Sequence, residues 1–82
     1  MTNTESAIHE FIVSEILKGQ GDGLDLNTEL FDLNILDSFG IMTVLAFIEE
    51  KLGVMIPPED LSKDAFRSIE SIAALVEQKK HE

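Results

Sequence analysis

Cysteine is absent from this 82-residue chain, which excludes a disulfide framework, a thiolate metal site and a thiol nucleophile. Cations are scarce: six lysines and arginines face sixteen aspartates and glutamates, for a formal net charge of −10. Nucleic-acid phosphates and anionic lipid surfaces repel such a chain, so neither is an expected partner. Long apolar runs are missing too. The unbroken runs reach only a few residues, against the ~20 that a membrane-crossing helix needs. The N-terminal stretch Met1-Thr2-Asn3-Thr4-Glu5-Ser6 has no basic segment followed by an apolar one. It does not read as a secretory signal, and a cytoplasmic location is expected.

What is present suits one small folded domain spanning residues 1–82, with a modest core. Hydrophobic residues at 44% and charged residues at 27% describe a globular chain rather than a disordered one. The acidity keeps a small protein soluble, and it also favours partners with basic patches, whose encounter the field speeds.

Three segments carry helical periodicity. Ile8, Phe11, Ile12 and Ile16 share one helix face. Glu5 and Glu10 lie early in that helix and Lys18 at its end, as the helix dipole favours; Gly19, Gly21 and Gly23 stop it. Ile41, Val44, Leu45, Ile48 and Leu52 form a second stripe, with Gly53 as the residue just past the helix. Ile69, Ile72, Ala73 and Val76 form a third, with Ser68 as N-cap and Lys79 and Lys80 at the C-terminal end. No strand alternation and no internal repeat is evident.

The stretch from Gly19 to Leu36 exceeds the usual loop length of about 12–15 residues. Its apolar side chains, Leu24, Leu26, Leu30, Phe31, Leu33, Ile35 and Leu36, predict an ordered crossover packed on the helices. Asn34 is placed to supply a left-handed turn residue. A short helical turn is expected at 62–66, after Pro57 and Pro58. The expected fold is all-α: a four-helix bundle with a long loop between helices 1 and 2 and a short helix 3.

The candidate site opens the second helix. Asp37 is a good N-cap, since its carboxylate can accept from the free N–H groups of the first turn. Ser38 then takes the first helical position with its hydroxyl toward solvent. A helix start, with orphan N–H donors and partial positive charge, suits a covalent phosphodiester there. Asp-Ser before a helix also occurs as a plain cap. On the helix that follows, Phe39, Met42 and Ala46 fall away from the core stripe, bordered by Glu49 and Glu50. That strip reads as a docking surface for partner enzymes; the alternative is that Phe39 and Met42 pack beneath the long loop.

Other chemistry finds no support. His9 and His81 are the only histidines, one beside the first core stripe and one in the tail, and a Ser-His-Asp triad is not expected. Asp22, Asp25, Asn27 and Glu29 lack calcium-loop spacing and read as a solvated acidic loop, so no metal site is expected.

These features together resemble the acyl carrier protein family. The similarity runs from Leu30-Phe31 through Asp37-Ser38 and Glu49-Glu50-Lys51-Leu52-Gly53. It continues through Ile56-Pro57-Pro58-Glu59-Asp60-Leu61 to Phe66-Arg67-Ser68-Ile69. The resemblance implies that Ser38, flanked by Asp37, receives 4′-phosphopantetheine from coenzyme A. The donor enzyme would be a magnesium-dependent phosphopantetheinyl transferase. It implies a stand-alone, non-catalytic, monomeric carrier that holds an acyl or aminoacyl group as a thioester. The Asp37-Ser38-Phe39-Gly40 motif is most similar to D-alanyl and other aminoacyl carriers. Fatty-acid carriers usually have Leu after the serine and often an acidic residue where Thr43 stands. An amino acid, charged by an adenylate-forming ligase and collected by a downstream transferase or condensing enzyme, is therefore the expected cargo. A fatty-acid or polyketide acyl carrier is the alternative within the class. An unmodified acidic helical adaptor, binding a partner through the Phe39 and Met42 face, is the alternative outside it.

Overall fold

Thr2 opens the first helix with a reciprocal cap. Its hydroxyl accepts the Glu5 N–H at 3.1 Å, and the Glu5 carboxylate accepts the Thr2 N–H at 2.8 Å, satisfying two donors at once. The computed structural model describes residues 2–19 and 23–80. Among these, every regular element is helical. Helix α1, Asn3–Phe11, continues as a π-helical turn over Ile12–Ile16. Lys18 and Gly19, with φ of 55° and 87°, then turn the chain away. Gly21, also expected to act as a stop, lies outside the described residues.

Helix α2, Ser38–Phe47, likewise runs into a π-helical turn, Ile48–Leu52. It stops at Gly53, where φ is 68° and the N–H donates to the Ile48 carbonyl. Helix α3 spans Ile69–Lys80. The Ser68 hydroxyl caps it by accepting the Ser71 N–H at 3.2 Å.

The core gathers one face from each helix. Ile8 and Ile12 of the first, Val44 and Ile48 of the second, and Ile69, Ile72, Ala73 and Val76 of the third are all buried. Ile41, Leu45 and Leu52 flank the core, half-buried, so the second stripe is narrower than its spacing suggests. Each fully buried aliphatic side chain contributes roughly 1.5–3 kcal/mol of transfer free energy. The Thr4 hydroxyl donates to the Glu77 carboxylate between α1 and α3. Lys79 reaches Asp60 at 2.7 Å, fastening the end of α3 to the 3₁₀ turn Pro58–Asp60.

The short helix expected at 62–66 is a single turn, so the described residues hold three α-helices, with turns where the short third helix of four was expected. The Ser62 hydroxyl accepts the Ala65 N–H at 3.1 Å and its carbonyl accepts the Phe66 N–H at 3.2 Å. So short a helix returns few hydrogen bonds against the cost of its first turn. The Arg67 carbonyl accepts the Leu30 N–H at 2.8 Å. Phe66, fully buried, anchors the turn.

The long crossover is ordered where it is described. The Leu26 carbonyl accepts the Glu70 N–H at 3.0 Å, satisfying one of the orphan donors of α3. His9 Nε2 donates to the Leu24 carbonyl at 3.0 Å. The Asp25 carboxylate accepts from the Asn27 N–H and the Thr28 hydroxyl, so this part of the acidic loop is knit by its own hydrogen bonds. Asp22 lies outside the described residues. Among those described, no cluster of three or more histidines and carboxylates is placed to hold a metal ion. No helix among them is long and apolar enough to cross a membrane.

Candidate functional site

Leu30 is the hinge on which the site is built. Its side chain is fully buried, and its carbonyl accepts both the Ile35 N–H, at 2.8 Å, and the Leu36 N–H, at 3.0 Å. Closing that loop requires a left-handed residue, and Asn34 supplies it with φ of 59°, as its place in the sequence suggested. Leu36 is then buried in the core. The next two residues, Asp37 and Ser38, therefore emerge at a fixed point on the surface.

Asp37 caps α2. Its backbone is extended, its Oδ1 accepts the Gly40 N–H at 2.8 Å, and its carbonyl accepts the Ile41 N–H at 2.9 Å. Gly40 lets this first turn sit close to the anchor: a Cβ there would lie 2.9 Å from Leu36 Cδ2. Ser38 is the first helical residue and is exposed. No protein group among the described residues engages its hydroxyl. With the Asp37 carboxylate committed to Gly40, the N–H groups of Ser38 and Phe39 remain open to an anionic group on the serine oxygen. These residues fit a phosphodiester-linked group at Ser38.

The strip on α2 is exposed rather than buried under the crossover. Phe39 is 81% accessible and Met42 60%; Ala46 and Glu50 are exposed, and Glu49 is half-buried. Met42, Ala46 and Glu50 line a shallow groove of about 450 Å³ together with Phe11, Glu15 and Phe47. Phe39 and Glu49 are not among its lining residues. The rings of Phe11 and Phe47 stack with centroids 4.3 Å apart, and both helices change from α to π winding directly after these residues. Sequence reasoning placed Phe11 in the core stripe and assigned no role to Phe47. Helical spacing gives the faces of each helix but not which faces of two helices meet. Leu33, expected to pack on the helices with the other apolar side chains of the crossover, is instead 62% exposed, and Met55, 72% exposed, was not singled out. Each lies in an irregular segment, where periodicity carries no signal.

A small helical protein that presents an exposed serine at a capped helix start has a place for a covalently attached group. A family model described as "Phosphopantetheine attachment site" matches residues 11–76, and the chain belongs to that family. It is 36% identical over 76 residues to a probable acyl carrier protein, PigG, of a Serratia species, covering 93% of this chain and 87% of that one. It is 31% identical to a D-alanyl carrier protein of Lactococcus lactis, covering 71% and 73% of the two chains. Among solved structures, it matches a chain in one described as "Crystal structure of FAD-dependent dehydrogenase". That match has a TM-score of 0.77 and 39% identity, over 84% of this chain and 97% of that one.

The protein is thus a non-catalytic carrier of the phosphopantetheine-binding family rather than an unmodified adaptor. Its cofactor, 4′-phosphopantetheine, is held covalently. The group supplies the terminal thiol, absent from a cysteine-free chain, on which an acyl group is held as a thioester. The chain's own part is to fix the point at which that group is attached.

Proposed function

We propose that Ser38 is the attachment residue and that the cargo is an amino acid. The observation that carries the first part is the exposed, unengaged Ser38 hydroxyl at the Asp37-capped start of α2, within the residues the family model matches. In the loading reaction the Ser38 oxygen attacks the pantetheine-bearing phosphorus of coenzyme A. A phosphodiester forms, adenosine 3′,5′-bisphosphate leaves, and the hydroxyl proton passes to a base on the transferase. The aminoacyl reading is supported by the similarity to D-alanyl carriers and by Gly40 and Thr43 on the first turns of α2. An adenylate-forming ligase charges the thiol. A transferase, a condensing enzyme or a flavin-dependent dehydrogenase acts on the thioester.

The dehydrogenase is added because the 39%-identical chain is carrier-sized: this 82-residue chain spans 97% of it, within a structure described by a FAD-dependent dehydrogenase. Such an enzyme would move two electrons and two protons from the cargo to its flavin. Partners dock on Phe39, Met42, Ala46, Glu49 and Glu50, with Phe11 and Glu15 extending that face across α1. The turns at 58–66 stand in the place of a short third helix of a four-helix bundle, and the protein works as a cytoplasmic monomer. The test charges the holo-protein with a ligase, ATP and single amino acids, then follows intact mass before and after hydroxylamine. A gain of one aminoacyl residue, released by hydroxylamine, supports the reading. Charging by fatty acyl donors alone overturns it.

A further inference from the structure

A second cleft, of about 290 Å³, opens beside Ser38 on the side of the crossover, lined by Phe31, Asn34, Leu36, Asp37, Ile41 and Lys63 as well as the serine itself. Three features of this cleft point to one occupant. Its apolar wall is built from Phe31, Leu36 and Ile41, which suits the aliphatic and gem-dimethyl parts of a pantetheine chain. Its one cation is Lys63, whose Nζ lies 5.3 Å from the centroid of the Phe31 ring, a placement that holds an ammonium over an aromatic face. Among the described residues, no carboxylate pairs with Lys63, although the chain carries a net charge of −10. A phosphodiester on Ser38 would adjoin the Asp37 carboxylate, and a cation lining the same cleft offsets that repulsion.

Resting on the assignment of Ser38, we propose that this cleft is the berth of the phosphopantetheine arm, with Lys63 pairing to its phosphodiester across the Phe31 ring. Lys63 orients the arm along the crossover, away from Met42 and Ala46, and so leaves the partner face open while the arm is docked. The arm is tethered at the mouth of the cleft, so even a weak pairing is populated through its high effective concentration. The pairing is exposed and falls with salt.

The test compares apo- and holo-protein, each verified by intact mass, through backbone amide shifts in the wild type, Lys63→Ala and Lys63→Arg. The expected result is that phosphopantetheinylation moves the amides of Phe31, Asn34 and Lys63 in the wild type and in Lys63→Arg. Those shifts should fall by more than half in Lys63→Ala, and in the wild type at high salt. The salt series needs no variant and stands even if a substitution disturbs the fold. Shifts confined to Ser38 and its chain neighbours, or unaltered by both salt and Lys63→Ala, overturn the berth while leaving the attachment intact. A wild-type protein that takes up no phosphopantetheine overturns the attachment at Ser38, and the berth with it.

Discussion

The Leu30 N–H donates to the Arg67 carbonyl at 2.8 Å, joining the segment that delivers Ser38 to the one that starts α3. Because Leu30 is also fully buried, the proposed attachment point and the core share an anchor. Leu30→Ala should cost about 2–5 kcal/mol, as buried large-to-small changes do. A denaturant melt measures it. A loss below ~1 kcal/mol would mean that the crossover is not integral to the folded core.

Asp37 contributes through its cap. Asp37→Ala should destabilise by roughly 0.5–2 kcal/mol, whereas Asp37→Asn, which still accepts the Gly40 N–H, should be nearly neutral. Thermal midpoints of the two variants decide it. Equal losses would mean that the carboxylate charge, not the hydrogen bond, is what matters at the helix start.

Surface and core separate on α2. Ile48 is fully buried while Met42 is 60% exposed. Ile48→Ala should cost about 2–5 kcal/mol and Met42→Ala well under half of that. Met42→Ala should nevertheless slow charging by the cognate ligase. Normal charging of Met42→Ala would remove it from the docking face.

Charge steering should be visible in salt. Glu49→Lys with Glu50→Lys should slow the transferase or ligase through apparent affinity, and flatten the dependence of loading rate on ionic strength. The fold should persist, because Glu50 is exposed and Glu49 only half-buried, and charges at the surface contribute only about 0–1 kcal/mol each. Loading kinetics at low and high salt, beside the melting temperature, provide the check. An unchanged salt dependence would place docking elsewhere.

Much of the site was legible because its signals are local. Asn34 takes a positive φ on its own, Asp37 and Ser68 cap through neighbours three residues on, and the buried residues of α1 and α3 follow a 3.6-residue period. The capping box of Thr2 and Glu5 was also readable, as Thr followed three residues later by Glu, though only the dipole role of Glu5 was drawn from it. What the sequence hid is non-local. Nothing near Phe47 announces that it stacks on Phe11, and nothing near Arg67 announces that Leu30 claims its carbonyl. The cleft at Lys63 is hidden for the same reason: Phe31 and Lys63 meet only through the fold.

The attachment itself has the most direct test. Apo-protein and its Ser38→Ala variant are incubated with a phosphopantetheinyl transferase, magnesium and coenzyme A, and each is weighed intact and after peptide fragmentation. The wild type should gain one phosphopantetheinyl group localised to Ser38. Ser38→Ala should gain none while keeping its melting temperature, since Asp37 retains the cap and the lost hydroxyl faces water. A folded Ser38→Ala protein that still takes up the group would contradict the assignment.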